Sequence, residues 1–222
     1  QVLRSLGKLV RGLSALFWSL PAMLIIYVQT ARTEWLQSLH AWAMIPAVMV
    51  SAMLWWSLMQ LRQFQSQERI WLQAIDRAEV FAIVNVGLSP FLYWYHDMPL
   101  VPLYIACVSV LCLSSLLLIM QLNRVLQRLA AMLPDETLRA ETKLFAGINT
   151  SLLLALLAAI ALFFGLEQMY SLPAWVDKTL DFLAEQGPWI ILFVILIPLA
   201  MTMALIWKTK ELIFASVFNA EH

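Results

Sequence analysis

The amino-acid sequence predicts an all-α, polytopic integral membrane protein: one domain, residues 1–222, built as a bundle of six transmembrane helices with both termini cytoplasmic. Three observations lead there. Of the 222 residues 62% are apolar and 13% charged, whereas a soluble domain carries roughly 45–50% apolar and about 25% charged residues. Several intervals are free of charge for about 20 residues, the length a helix needs to cross roughly 30 Å of hydrocarbon. The basic residues also sort to one side of those intervals.

Composition excludes a soluble enzyme, a disordered chain and a disulfide-stapled secreted module, because a soluble chain of this size must cover itself with polar surface. Lysine plus arginine number 14 and aspartate plus glutamate 14, so no basic excess points to nucleic acid as a partner. Cys107 and Cys112 lie five residues apart in one apolar run. On a helix they diverge by about 140°, which predicts two buried structural thiols rather than a disulfide.

The spans are expected at 12–30, 40–61, 80–96, 99–121, 144–166 and 187–207. The chain opens on Gln1 rather than Met, so residues are expected to precede it. The first apolar stretch has no small-residue cleavage site after it and reads as a retained span. The third interval is short; Arg77 and Glu79 snorkel at one end and His96 and Asp97 mark the other.

Arg4, Lys8 and Arg11 precede span one, and Arg62, Arg69 and Arg77 lie between spans two and three. Arg124, Arg128, Arg139 and Lys143 separate spans four and five, and Lys208 and Lys210 follow span six. These are 12 of the 14 basic residues; only Arg32 and Lys178 fall on the other side. The positive-inside rule then places both termini in the cytoplasm, as for a bacterial inner membrane protein. Tryptophans mark the two interfaces: Trp18, Trp35, Trp42, Trp94, Trp175 and Trp189 outside, and Trp55, Trp56, Trp71 and Trp207 inside.

The loops carry helical periodicity. Phe64, Trp71, Ile75 and Ala78, and again Leu122, Val125, Leu126, Leu129 and Leu133, form apolar stripes among polar residues. They predict amphipathic cytoplasmic extensions of the helices. After Pro134, Asp135 and Glu136 suit the first turn of a helix that runs unbroken into span five. Between Ser171 and Glu185 a short outer surface helix is expected, ended by Gly187-Pro188. Pro21, Pro46, Pro90 and Pro198 fall inside spans and predict kinks.

Searching the spans for chemistry yields little. No charge stands near a span centre, which disfavours a proton-coupled pump and excludes a voltage sensor. Gly87-Leu88-Ser89-Pro90 sets a serine after a glycine, as the GxSG signature of rhomboid proteases does. Its second glycine is Pro90 here and no later span holds a histidine, so the base is missing. No catalytic residue, metal ligand set or cofactor site is predicted. His40 and His96, with Asp97, fall at the outer ends of spans two and three and form a candidate outer-face site. The most informative polar residues are neutral: Ser57, Asn85, Ser114, Ser115, Asn149 and Thr202 occupy one layer of five helices. They form a candidate intramembrane polar cluster, as interhelical glue or as a vestibule open to the cytoplasm.

The expected function is a non-catalytic membrane subunit or assembly factor of a membrane complex, more a non-enzyme than an enzyme. Its partners would be the lipid bilayer and other membrane subunits or further copies of itself. A small-solute channel or transport subunit is the alternative, and a membrane enzyme acting on lipid the third reading. The topology is directly testable. With Cys107 and Cys112 replaced by serine, Ser66→Cys and Thr137→Cys should resist an impermeant thiol reagent applied from outside, while Lys178→Cys reacts. Labelling of Ser66→Cys from outside breaks the six-span arrangement.

Overall fold

A computed structural model describes residues 2–32, 42–65, 67–133, 136–167 and 174–219. The described chain is all helical: α1 (Val2–Arg32), α2 (Ile45–Arg62), α3 (Arg69–Leu88), α4 (Phe91–Asp97), α5 (Pro102–Met132), α6 (Glu136–Glu167) and α7 (Ala174–Asn219). Among the described residues five stretches are long and apolar enough to cross a membrane: Leu6–Arg32, Trp42–Arg62, Pro102–Met132, Glu136–Phe163 and Ile191–Phe214.

The third expected span is the exception. It is split at Ser89-Pro90 into α3 and α4. Pro90 has no N–H to donate and its ring crowds the preceding turn, but both residues keep helical backbone angles. The two pieces therefore form one interrupted rod. It starts at Arg69, meets Arg62 of α2 through Asp76 and Glu79, and near its far end His96 reaches the carbonyl of Ala31 in α1.

The long helices pack side by side in chain order, α1 on α2, α2 on α3, α3 on α5, α5 on α6 and α6 on α7. Packing of α7 on α1 closes the ring, and α4 fits between α1 and α5. The main core draws on α1, α2, α3, α5 and α7 around Leu13, Leu58, Trp71, Leu122 and Ile206. The α6 helix adds nothing to that core and packs in a smaller cluster through Leu153 and Leu156. It is a peripheral helix.

Several expectations need correcting. Trp71 is not an interfacial ring but is fully buried, edge-on to Phe64 at 6.3 Å. The apolar stripes expected on helix extensions are buried at Trp71, Ile75 and Ala78 of α3 and at Leu122, Val125, Leu126 and Leu129 of α5, where they join the main core. Trp18 and Trp207, expected at opposite faces, are not far apart in the bundle: Phe17, next to Trp18, rests on Trp207 at 5.7 Å. Pro46 stands in the first turn of α2, where a missing N–H costs nothing, so it does not kink that helix. Gly187-Pro188 does not end a separate helix, because α7 runs through it. One lost backbone bond is tolerable in a long apolar helix. Ser171 and the side chains of 174–185 lie outside the described residues. Cys112 is exposed on the bundle surface and Cys107 half-buried, and both are free.

The tightest helix contact depends on Gly12. A β-carbon there would stand 3.0 Å from the carbonyl oxygen of Ser57 and 3.1 Å from a Leu61 methyl. The carbonyl cannot rotate away, so α1 and α2 would have to separate. Gly12→Leu should cost about 2–3 kcal/mol through overpacking. Gly7→Ala, with open space around it, should be neutral or gain up to about 1 kcal/mol in helix propensity. Unfolding of both variants in mixed micelles measures the contrast, and equal effects would disprove it.

Candidate functional site

The polar residues at the junction of α5, α6 and α7 are the most connected side chains in the described bundle. Asn149 of α6 is fully buried. Its Nδ2 donates towards the Pro198 carbonyl at 3.0 Å, Thr202 Oγ1 at 3.0 Å and Asn123 Oδ1 at 3.2 Å. Thr202 Oγ1 in turn lies 2.7 Å from the Pro198 carbonyl and 3.1 Å from Asn123 Oδ1. A carbonyl only accepts, so Pro198 fixes which end of the Asn149 amide faces it. The amide has two hydrogens for three acceptors, and the Thr202 hydroxyl has one for two. The cluster therefore shares its bonds among alternatives. Asn123 Nδ2 and Asn149 Oδ1 are left without partners.

Of the six residues expected in one polar layer, the structure unites two, Asn149 and Thr202. The others are dispersed. Ser57 donates to Leu54 and Ser115 to Leu111 within their own helices, and Ser114 reaches from α5 to the Phe81 carbonyl of α3 at 3.3 Å. Asn85 is buried in α3 with neither end of its amide bonded. It does not meet Asn149, whose partners come from α5 and α7. Two contributors escaped sequence reading. Asn123 stands beside Arg124, and that charged neighbour masks a fully buried amide. Ser51 was passed over in an apolar run, yet its Oγ lies 2.6 Å from Tyr27 Oη and links α2 to α1.

The outer-face candidates do not assemble into a site among the described residues. His96 Nδ1 lies 3.3 Å from the Ala31 carbonyl, which ties α4 to α1. Asp97 is exposed at the end of α4, and His40 lies outside the described residues. No group of three or more His, Cys, Asp or Glu stands close enough for a metal among the described residues.

Among the described residues the ion pairs lie at the end that carries Arg62 and Lys208. Arg62 bridges to Asp76 at 3.2 Å and Glu79 at 3.0 Å, and Lys208 of α7 pairs with Glu141 of α6. Burial pushes the Glu79 carboxyl above its usual range, with the Arg62 charge opposing that shift. Within the amide cluster nothing titrates. Amides and hydroxyls can bind and orient, but they neither carry a proton load nor attack a substrate at neutral pH.

Comparison with family models, with curated proteins and with solved structures finds no match for this chain.

Asn149 holds three neighbours and Asn123 accepts at only one end, so the two substitutions should differ. Asn149→Leu is expected to cost about 1–3 kcal/mol, by removing the bonds to α7 and leaving the Asn123 oxygen with the Thr202 hydroxyl as its one donor. Asn123→Leu should cost less. The double variant should fall short of the sum by about 0.6–1.7 kcal/mol, the coupling typical of hydrogen bonds between membrane helices. Strict additivity in a steric-trapping or denaturation cycle would rule out the shared network.

Proposed function

We propose that the chain is a non-catalytic subunit of a membrane complex, with six spans, both termini cytoplasmic, and α6 as the face offered to a transmembrane helix of another subunit. Support for six spans comes from the α3–α4 rod, which reaches from the basic end of the bundle to the opposite one. The reading of α6 rests on one observation, its outward face. Gly147, Ser151 and Ala155 recur there at four-residue intervals, all exposed, with Leu144 and Ile148 at the rim. A β-carbon at Gly147 would meet nothing within 4 Å.

Lipid tails are as apolar as leucine, so helices associate in a membrane through close packing, and small residues four apart permit it. The peripheral place of α6 agrees: 22% of its apolar stretch is buried, against 44% in α1. Ser151 already bonds to the Gly147 carbonyl at 3.0 Å, so the groove has no polar demand of its own. Shape is what it offers.

A transport reading has one observation in its favour, the buried and unbonded Asn85 just before the break in its rod. One experiment separates the two. Ser151→Cys in native membranes should cross-link to a distinct membrane protein in fixed stoichiometry, and Gly147→Ile should abolish that complex while the subunit stays folded. A cross-link only to a second copy makes α6 a self-association face. No cross-link, with a small molecule retained by the monomer and lost in Asn85→Leu, overturns the subunit reading in favour of transport.

A further inference from the structure

The basic end of the bundle contains a cavity that none of the preceding interactions uses. It opens between α3 and α5 and has a volume of about 330 Å³. Arg77 of α3 and Arg124 and Arg128 of α5 line it, together with Gln73, Gln121 and Gln127. No carboxylate lines it, and among the described residues none of the three arginines belongs to an ion pair. This sets them apart from Arg62, Lys208, Lys8 and Arg139. Arg62 and Lys208 are paired with acids, Lys8 donates to Gln63 at 2.6 Å, and Arg139 donates to the Ala131 carbonyl at 2.9 Å. Arg124 has only Gln121 Oε1, at a long 3.4 Å.

Three guanidinium groups sharing one recess repel one another unless an anion joins them. Arginine presents a planar fork of donors suited to phosphate oxygens, and glutamine amides add neutral donors beside it. We infer that this cavity is a binding site for a phosphate-type anion, such as the phosphodiester headgroup of an anionic phospholipid.

Its level in the bundle supports the lipid as the source. Arg124 immediately follows the long charge-free run of α5, and Arg128 lies four residues, about 6 Å, further along the helix. The headgroup region is roughly 5–7 Å deep on each face of a bilayer. The arginines thus fill the headgroup slab, not the hydrocarbon or bulk water. Below them the α3–α5 surface turns aliphatic: Val80 follows Arg77 at helical spacing, and Leu117 and Leu113 continue the line of Gln121. Val80 and Leu113 are exposed, so an acyl chain has a surface to lie on directly beneath a headgroup in the cavity. Basic recesses between membrane helices on the cytoplasmic side suit acidic headgroups for the same reasons.

The test uses the full-length chain in neutral detergent with three probes: dioctanoyl phosphatidylglycerol, dioctanoyl phosphatidylcholine and inorganic phosphate. Native mass spectrometry or titration should show a preference for the phosphatidylglycerol over the phosphatidylcholine. The combined variant Arg77→Gln, Arg124→Gln, Arg128→Gln should bind the phosphatidylglycerol about 100-fold more weakly, as expected for three interfacial cations. A control removing the same charge elsewhere, Arg11→Gln, Lys143→Gln, Lys210→Gln, should leave that affinity unchanged. Should the combined variant fail to fold, Arg128→Gln alone is expected to lose about fivefold. Binding of inorganic phosphate that needs the same arginines, without preference between the lipids, supports the anion site and names solution as its source. Equal affinity in wild type and variant, equal loss in the control, or no binding of any probe overturns the inference.

Discussion

A buried carboxamide surrounded by hydrocarbon has no water to fall back on, so its neighbours must supply every bond it makes. Asn149 meets that demand by drawing Asn123, Thr202 and the Pro198 carbonyl to one point. Apolar packing alone would let α6 slide along or rotate on its neighbours, since leucine against leucine and leucine against lipid differ little. The amide removes that freedom by fixing three helices in register. Pro198 takes part in this through the carbonyl it presents to the cluster.

The rest of the bundle is held differently. The α1, α2 and α3 helices meet through interlocking leucines, a buried tryptophan and one glycine that lets two backbones close. One half is thus fastened by shape and the other by a polar knot. The division explains why α6 can sit outside the main core and still be fixed. Its outward face is then free of structural duty.

Five long apolar helices were legible because their signal sums along the chain as length and absence of charge. All five stretches able to cross a membrane coincide with expected spans. The interrupted segment coincides with the weakest of the six, and Pro90 marks the place. What could not be read was which residue meets which. Asn149 and Thr202 were legible as polar atoms in an apolar setting, whereas Asn123 was hidden by its charged neighbour. Trp71 was misplaced because a periodic stripe near a membrane boundary reads equally as a surface helix or as a core helix, and only tertiary contacts decide. Asn85 and Asn149 sit at matching depths, but depth says nothing about azimuth around the ring.

The break between α3 and α4 bears on how such a chain is made. On the six-span reading, five segments are apolar enough to leave the translocon for lipid by partition alone, while the third is too polar at one end and interrupted near the other. It has to wait in the protein-conducting channel, or at its lateral gate, until α2 is beside it and α5 arrives to cover its second flank. Insertion would then proceed as a three-segment unit with a defined order. On the same reading, a ribosome stalled before α5 emerges would leave uncovered the face of α3 that the folded bundle buries, Trp71, Ile75, Ala78 and Ala82.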